Sequence, residues 1–209
     1  LQSFIYLFGV VPARYTHPAW AVSIGFPADN YWPFLTSMFL HSGWLHIIGN
    51  MWFLWLFGDN VEDRMGSLRL LIFYLICGLI ASLMQVVVNP DSPVSTVGAS
   101  GAIAGVLGAY LIMYPRAQVI AMIPILFYPL IFAVPATFFL AFWFFMQFFS
   151  GAASFFESTQ MGGAAWWAHV GGFVSGALLH RLFLSPSRQH VFEQDNDDSH
   201  RIGRKRREP

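Results

Sequence analysis

The chain has 209 residues, 56% hydrophobic and 18% aromatic, with only 11% charged residues and a formal net charge of zero; its mean hydropathy is +0.55. A soluble domain carries roughly a quarter charged residues, and here charges are almost absent from several stretches of about twenty residues, the length of a bilayer-spanning helix. Those features exclude an ordinary soluble enzyme and predict a polytopic membrane protein. The single Cys77, inside an apolar segment, has no intrachain disulfide partner and reads as a core thiol.

Residues 1–11 are apolar but too short to span, and they lack the basic region and cleavage site of a signal peptide. They read as the end of a first transmembrane helix whose beginning is missing. Residues 12–33 form a mixed loop in which Trp20, Tyr31 and Trp32 suit the membrane interface. A second span is predicted over residues 42–57, a polar turn over 58–64 and a third span over 68–88. A proline-containing loop at 89–96 leads into a fourth span at 98–114. Residues 117–156 are nearly all apolar, yet Pro124, Pro129 and Pro135 interrupt the first half. Proline inside a helix removes a hydrogen bond and clashes with the preceding turn. Residues 118–134 therefore read as a non-spanning interfacial or re-entrant piece, 136–155 as a fifth span and 165–184 as a sixth.

The expected architecture is an all-α polytopic membrane protein, a six-helix transmembrane bundle over residues 1–184. A polar tail, residues 185–209, carries an acidic patch and then Arg204-Lys205-Arg206-Arg207, and reads as disordered. Six spans put both ends on one side. With the tail in the cytoplasm, ten of the eleven Lys and Arg residues lie inside and only Arg14 outside, as the positive-inside bias requires. The expectation is a multi-pass protein of the cell membrane with a cytoplasmic tail, surrounded by the lipid bilayer.

That parity has a chemical consequence. Spans two, four and six all begin at the outer face, so His46, Ser100 and His169 share a depth of roughly 5–8 Å at 1.5 Å per residue. Asn50 follows His46 by four residues, on the same helix face and one turn deeper. Gly101, Gly105 and Gly108 on span four, and Gly172 and Gly176 on span six, form smooth stripes that permit close helix approach. Close approach is what a serine hydroxyl and an imidazole base need. The N–H of Ser100, at a helix start, and the side chains of His46 and Asn50 are candidate donors to an oxyanion. No Asp or Glu lies in any span to orient His169, so a Ser100–His169 dyad is expected.

Each signal alone has a plain reading. A glycine-framed serine most often packs helices, and a membrane histidine can bind a ligand or bridge two helices. His41 reads as an interfacial or supporting histidine, and His180, His190 and His200 as bystanders. Trp44, Trp52, Trp55, Trp143, Trp166 and Trp167 read as belt or core aromatics. The convergence of four residues on one depth carries the argument.

Taken together, these residues resemble the rhomboid family of intramembrane serine proteases. The matching pieces are His46-Ile47-Ile48-Gly49-Asn50, Gly58 to Gly66 with Glu62 between them, Gly98-Ala99-Ser100-Gly101, and Ala168-His169-Val170-Gly171-Gly172 through Gly176. The resemblance implies Ser100 as nucleophile, His169 as general base, His46 and Asn50 as oxyanion ligands, and Glu62 as a structural tie. It also implies transmembrane protein substrates, admitted past span five, where residues 142–149 are bulky and aromatic. Two departures stand out: Trp32-Pro33 in the first loop, where many members carry Trp-Arg, and Ala104 one turn after the serine, where some carry tyrosine. No metal, nucleotide or nucleic-acid partner is expected. Zinc and aspartyl intramembrane proteases are set aside, since HExxH and paired intramembrane aspartates are absent. The alternatives are a non-proteolytic substrate-binding or chaperone relative on the same scaffold, and a transporter or metal permease using His41, His46 and His169. The second lacks span carboxylates and repeated halves.

Overall fold

The computed structural model describes residues 2–27, 29–125, 128–155 and 165–186. Four short helices come first: α1 (Gln2–Phe8), α2 (Pro12–Thr16), α3 (Pro18–Ser23) and α4 (Pro33–Thr36), the last running into a 3-10 turn at Ser37–Phe39. Five long helices follow: α5 (Trp44–Met65), α6 (Ser67–Val88), α7 (Ser100–Met113), α8 (Ala136–Ala153) and α9 (Trp166–Phe183). Between α7 and α8 stand two strands, β1 (Gln118–Ile125) and β2 (Tyr128–Pro135). Proline opens α2, α3 and α4, where its missing N–H costs nothing and its fixed φ suits the first turn.

Helix α7 is the centre of the molecule. Every residue from Gly101 to Tyr110 is buried, because α6 packs on one side and α9 on another. The glycine stripes decide how close these helices come. A Cβ built on Gly172 would stand 2.0 Å from the carbonyl oxygen of Gly101, and one on Gly108 would stand 2.1 Å from that of Phe173. Toward α6, a Cβ on Gly101 would meet the Ala81 Cβ at 2.7 Å, and one on Gly105 would meet the Cys77 Cβ at 2.5 Å. Backbone-to-backbone contact of this kind is the expected use of small residues in a membrane bundle. Cys77 is a buried free thiol in that seam, as its apolar setting predicted.

The outer surface is the inverse of a soluble protein. Trp44, Leu45 and Leu182 are 83%, 87% and 76% exposed, and α5, α6 and α8 also leave Ile48, Trp52, Trp55, Leu83, Phe142 and Phe149 exposed. A protein in water rarely leaves so much apolar surface contiguous. Helices α6 and α8 are both long and apolar enough to cross a bilayer.

Three expectations need correction. The fold is mostly helical but not all-α: β1 and β2, in the segment expected to be interfacial or re-entrant, pair antiparallel, Gln118 with Pro135 and Pro124 with Pro129. The prolines that forbid a helix are tolerated here because both strands are edges, and edge strands can spare an N–H. Second, the polar segment 58–64 is helical, so α5 extends to Met65. It ends at Gly66, whose φ of +85° reverses the chain while its N–H bonds to the Glu62 carbonyl at 2.6 Å. Third, the helix expected over about 98–114 is α7, Ser100–Met113, so Gly98 and Ala99 stand before it. The tail expected to be disordered lies, from residue 187 on, outside the described residues.

Candidate active site

Ser100 is the first residue of α7 and His169 the fourth of α9. The glycine contacts draw these helix starts together, and Ser100 Oγ lies 2.8 Å from His169 Nε2. On the far side of the ring, His169 Nδ1 lies 2.6 Å from Oε1 of Gln147, a buried residue of α8. A carbonyl oxygen can only accept, so Nδ1 donates and the neutral imidazole presents its lone pair from Nε2 to the serine hydroxyl. Trp143, one turn before Gln147, lies tilted against the imidazole with ring centroids 5.9 Å apart. Trp166 meets it edge-on at 6.4 Å.

The start of α9 is itself pinned. The Ala168 N–H, an orphan donor of the first helical turn, donates to Oε1 of buried Gln85 on α6 at 3.2 Å. This bond fixes the backbone beside His169.

His46 enters from α5. The Ser42 backbone N–H donates to His46 Nδ1 at 3.4 Å, and the Ser42 hydroxyl lies 3.0 Å from the same atom. Nδ1 therefore accepts, and the neutral ring carries its proton on Nε2. That nitrogen faces Gly98: a Cβ built there would stand 2.8 Å from it and 3.5 Å from Ser100 Oγ. Gly98 has φ +130°, and its N–H bonds to the Ser37 carbonyl at 2.9 Å. The glycine thus serves both the turn and the ring. One turn along, Asn50 is buried and its Nδ2 has no hydrogen-bond partner among the described residues. An orphaned buried donor costs free energy that a ligand acceptor would recover.

His46, Asn50, Ser100, Gln147 and His169 all line one cavity of about 290 Å³, walled by Leu45, Phe53, Trp143 and Trp166. All four residues singled out from the sequence are brought together. His41 stands just outside, its ring 5.1 Å from that of His46 in an edge contact. Burial, and then the neighbouring His46, push its pKa below the ordinary histidine value of 6.5. Among the described residues, no three His, Cys, Asp or Glu side chains are grouped as metal ligands would be.

The sequence model of the Rhomboid domain matches residues 28–186. The chain belongs to the rhomboid family. Among its relatives, RHOMBOID-like protein 1 of Arabidopsis thaliana is 31% identical over 84% of this chain and 40% of its own length. Rhomboid protease GluP of Bacillus subtilis is 43% identical over 39% of this chain and 16% of its own length. Rhomboid-like protein 11, chloroplastic, of Arabidopsis thaliana is 42% identical over 38% and 28%. The chain thus spans less than half the length of each of these relatives. A rhomboid domain is a polytopic membrane fold, so this is a membrane protein, in keeping with α6 and α8.

In this rhomboid the Glu62 carboxylate accepts from the hydroxyl of Ser67, the first residue of α6, and so ties α5 to α6. Sequence reasoning missed Gln147 and Gln85. Carboxylates, the usual partners of an imidazole, are absent from the spans, and a glutamine inside an apolar helix is itself a signal, since buried amides require partners.

Proposed function

We propose that this rhomboid is an intramembrane serine endopeptidase acting through the Ser100–His169 dyad. Its substrates are transmembrane segments of other proteins, cut near the outer membrane face. The carrying observation is the 2.8 Å approach of Ser100 Oγ to the lone pair of His169 Nε2.

Ser100 Oγ attacks the scissile carbonyl carbon while His169 Nε2 takes its proton. The charge that develops on the carbonyl oxygen meets Asn50 Nδ2, the protonated Nε2 of His46 and the free N–H groups at the start of α7, where the helix dipole also favours an anion. His169 then passes its proton to the leaving amide nitrogen, the C–N bond breaks and an acyl-enzyme remains. Water from the outer side attacks the ester, giving its proton to His169, which returns it to Ser100 as the acid product departs. A helical amide is hydrogen-bonded and covered, so substrates carry small or helix-weakening residues that let the segment unwind.

The accompanying topology has six spans within residues 1–184 and the tail 185–209 in the cytoplasm beneath a cell membrane. The count of basic residues supports it: ten of eleven fall inside. The test compares wild type and Ser100→Ala on membrane-anchored reporters, with a serine-directed fluorophosphonate alongside. Cleavage and labelling should both vanish in the variant. Full cleavage by Ser100→Ala sinks the reading, and wild-type protein that binds reporters without cutting them favours the non-proteolytic alternative.

A further inference from the structure

Resting on the dyad reading above, we propose that Gln147 is the positioning residue of His169, the neutral third member of a Ser100–His169–Gln147 relay carried on three different helices. A neutral imidazole has one N–H and exists in two tautomers. Only the form protonated on Nδ1 leaves Nε2 free to accept from a hydroxyl. With the proton on Nε2 the ring would donate to Ser100 Oγ and leave that hydroxyl without a base. The Gln147 carbonyl oxygen, 2.6 Å from Nδ1, selects the productive form, because two facing lone pairs repel.

The choice of an amide over a carboxylate follows from the surroundings. Trp143 and Trp166 border the ring, and Gln147 itself is buried. An ionised carboxylate would bear a desolvation cost that an amide does not. The amide supplies acceptance and direction, and leaves stabilisation of the transient imidazolium to the dipoles around it. Gln147 is buried within α8, so the bond also reports the seat of α8 against α9.

The test uses Gln147→Met, which keeps the bulk and removes the acceptor, and Gln147→Glu, which keeps the bulk and an acceptor oxygen. Fluorophosphonate labelling of Ser100 in proteoliposomes gives the rate. Nitrogen-15 spectra of labelled histidine, with His169→Gln to assign the signal, give the tautomer. Gln147→Met should label about 10- to 100-fold more slowly, a part of the roughly 10²–10⁴-fold that a positioned base supplies. Its melting temperature should stay within a few degrees, and its His169 should show mixed tautomers where wild type shows Nδ1–H. Gln147→Glu should recover most of the lost rate. Labelling of Gln147→Met at the wild-type rate overturns the proposal, as does equal loss in the Met and Glu variants, which would assign the side chain to packing. Should Ser100→Ala cut reporters as wild type does, the peptidase reading falls instead, and the nitrogen-15 spectra still decide whether Gln147 sets the His169 tautomer.

Discussion

Gly176 of α9 lies so close to Gly105 of α7 that a Cβ built on it would stand 1.9 Å from the Gly105 carbonyl oxygen. Backbone cannot yield as a side-chain tip can, so Gly176→Ala must part the two helices that carry Ser100 and His169. Overpacking costs about 1–3 kcal/mol, and a contact against rigid backbone belongs at the upper end. Thermal unfolding in detergent should show a clear loss. Gly49→Ala on α5 is the contrast: nothing lies within 4 Å of its built Cβ, and replacing a helical glycine gains up to about 1 kcal/mol of helix propensity. Equal melting temperatures for the two variants would refute the account of the α7–α9 seam.

Asn50 Nδ2 is a buried donor without an acceptor among the described residues, and Asn50 lines the cavity shared with Ser100. If it waits for the oxyanion, Asn50→Ala should lower kcat by about 10²–10³-fold, the usual cost of one such donor. KM should change little, because the bond tightens only as charge develops. Steady-state kinetics on a cleaved reporter would decide, and a loss confined to KM would assign Asn50 to substrate binding.

Gly98 combines a φ of +130° with a built Cβ 2.8 Å from His46 Nε2. Gly98→Ala should strain the turn before α7 and push the His46 ring from its place beside Ser100. A fall in cleavage of about tenfold or more is expected, with backbone strain of roughly 1–3 kcal/mol visible in the melt. Wild-type activity in this variant would show that the His46 ring does not need its present seat.

His41 supplies a pH dependence. Burial, followed by His46, holds its pKa below 6.5, so the folded state favours the neutral ring more than the unfolded chain does. The associated stability is fully present above pH 6.5 and is lost as the pH falls below that value toward the folded-state pKa. Melting temperatures measured at neutral and mildly acid pH should therefore fall further for wild type than for His41→Gln. Parallel losses in both proteins would remove His41 as a source of acid sensitivity.

The long helices and the four-residue convergence were legible because they rest on local signals: apolar length, glycine spacing and the shared side from which alternate spans begin. What was illegible depended on partners distant in sequence. Gln147 and Gln85 look like ordinary polar interruptions until α9 is folded against α8 and α6. The end of α5 was misplaced because the polar run 58–64 reads as a turn, although only Gly66 has the backbone conformation that stops the helix. The β1–β2 pairing was illegible for a different reason. Proline frequency ruled out a helix there, but it does not give the register that pairs Gln118 with Pro135.

That hairpin has a mechanical corollary. Among the described residues its sheet has two strands, so the outward N–H and C=O groups of both strands find no partner in the ladder. Hydrocarbon offers such groups nothing to bond, whereas headgroups and water do. The 18-residue helix α8 starts at Ala136, immediately after β2. Its foot is therefore attached to an element whose outward strand groups are better served by headgroups and water than by acyl chains, which would limit how deep the Gln147-bearing rod can ride in a bilayer.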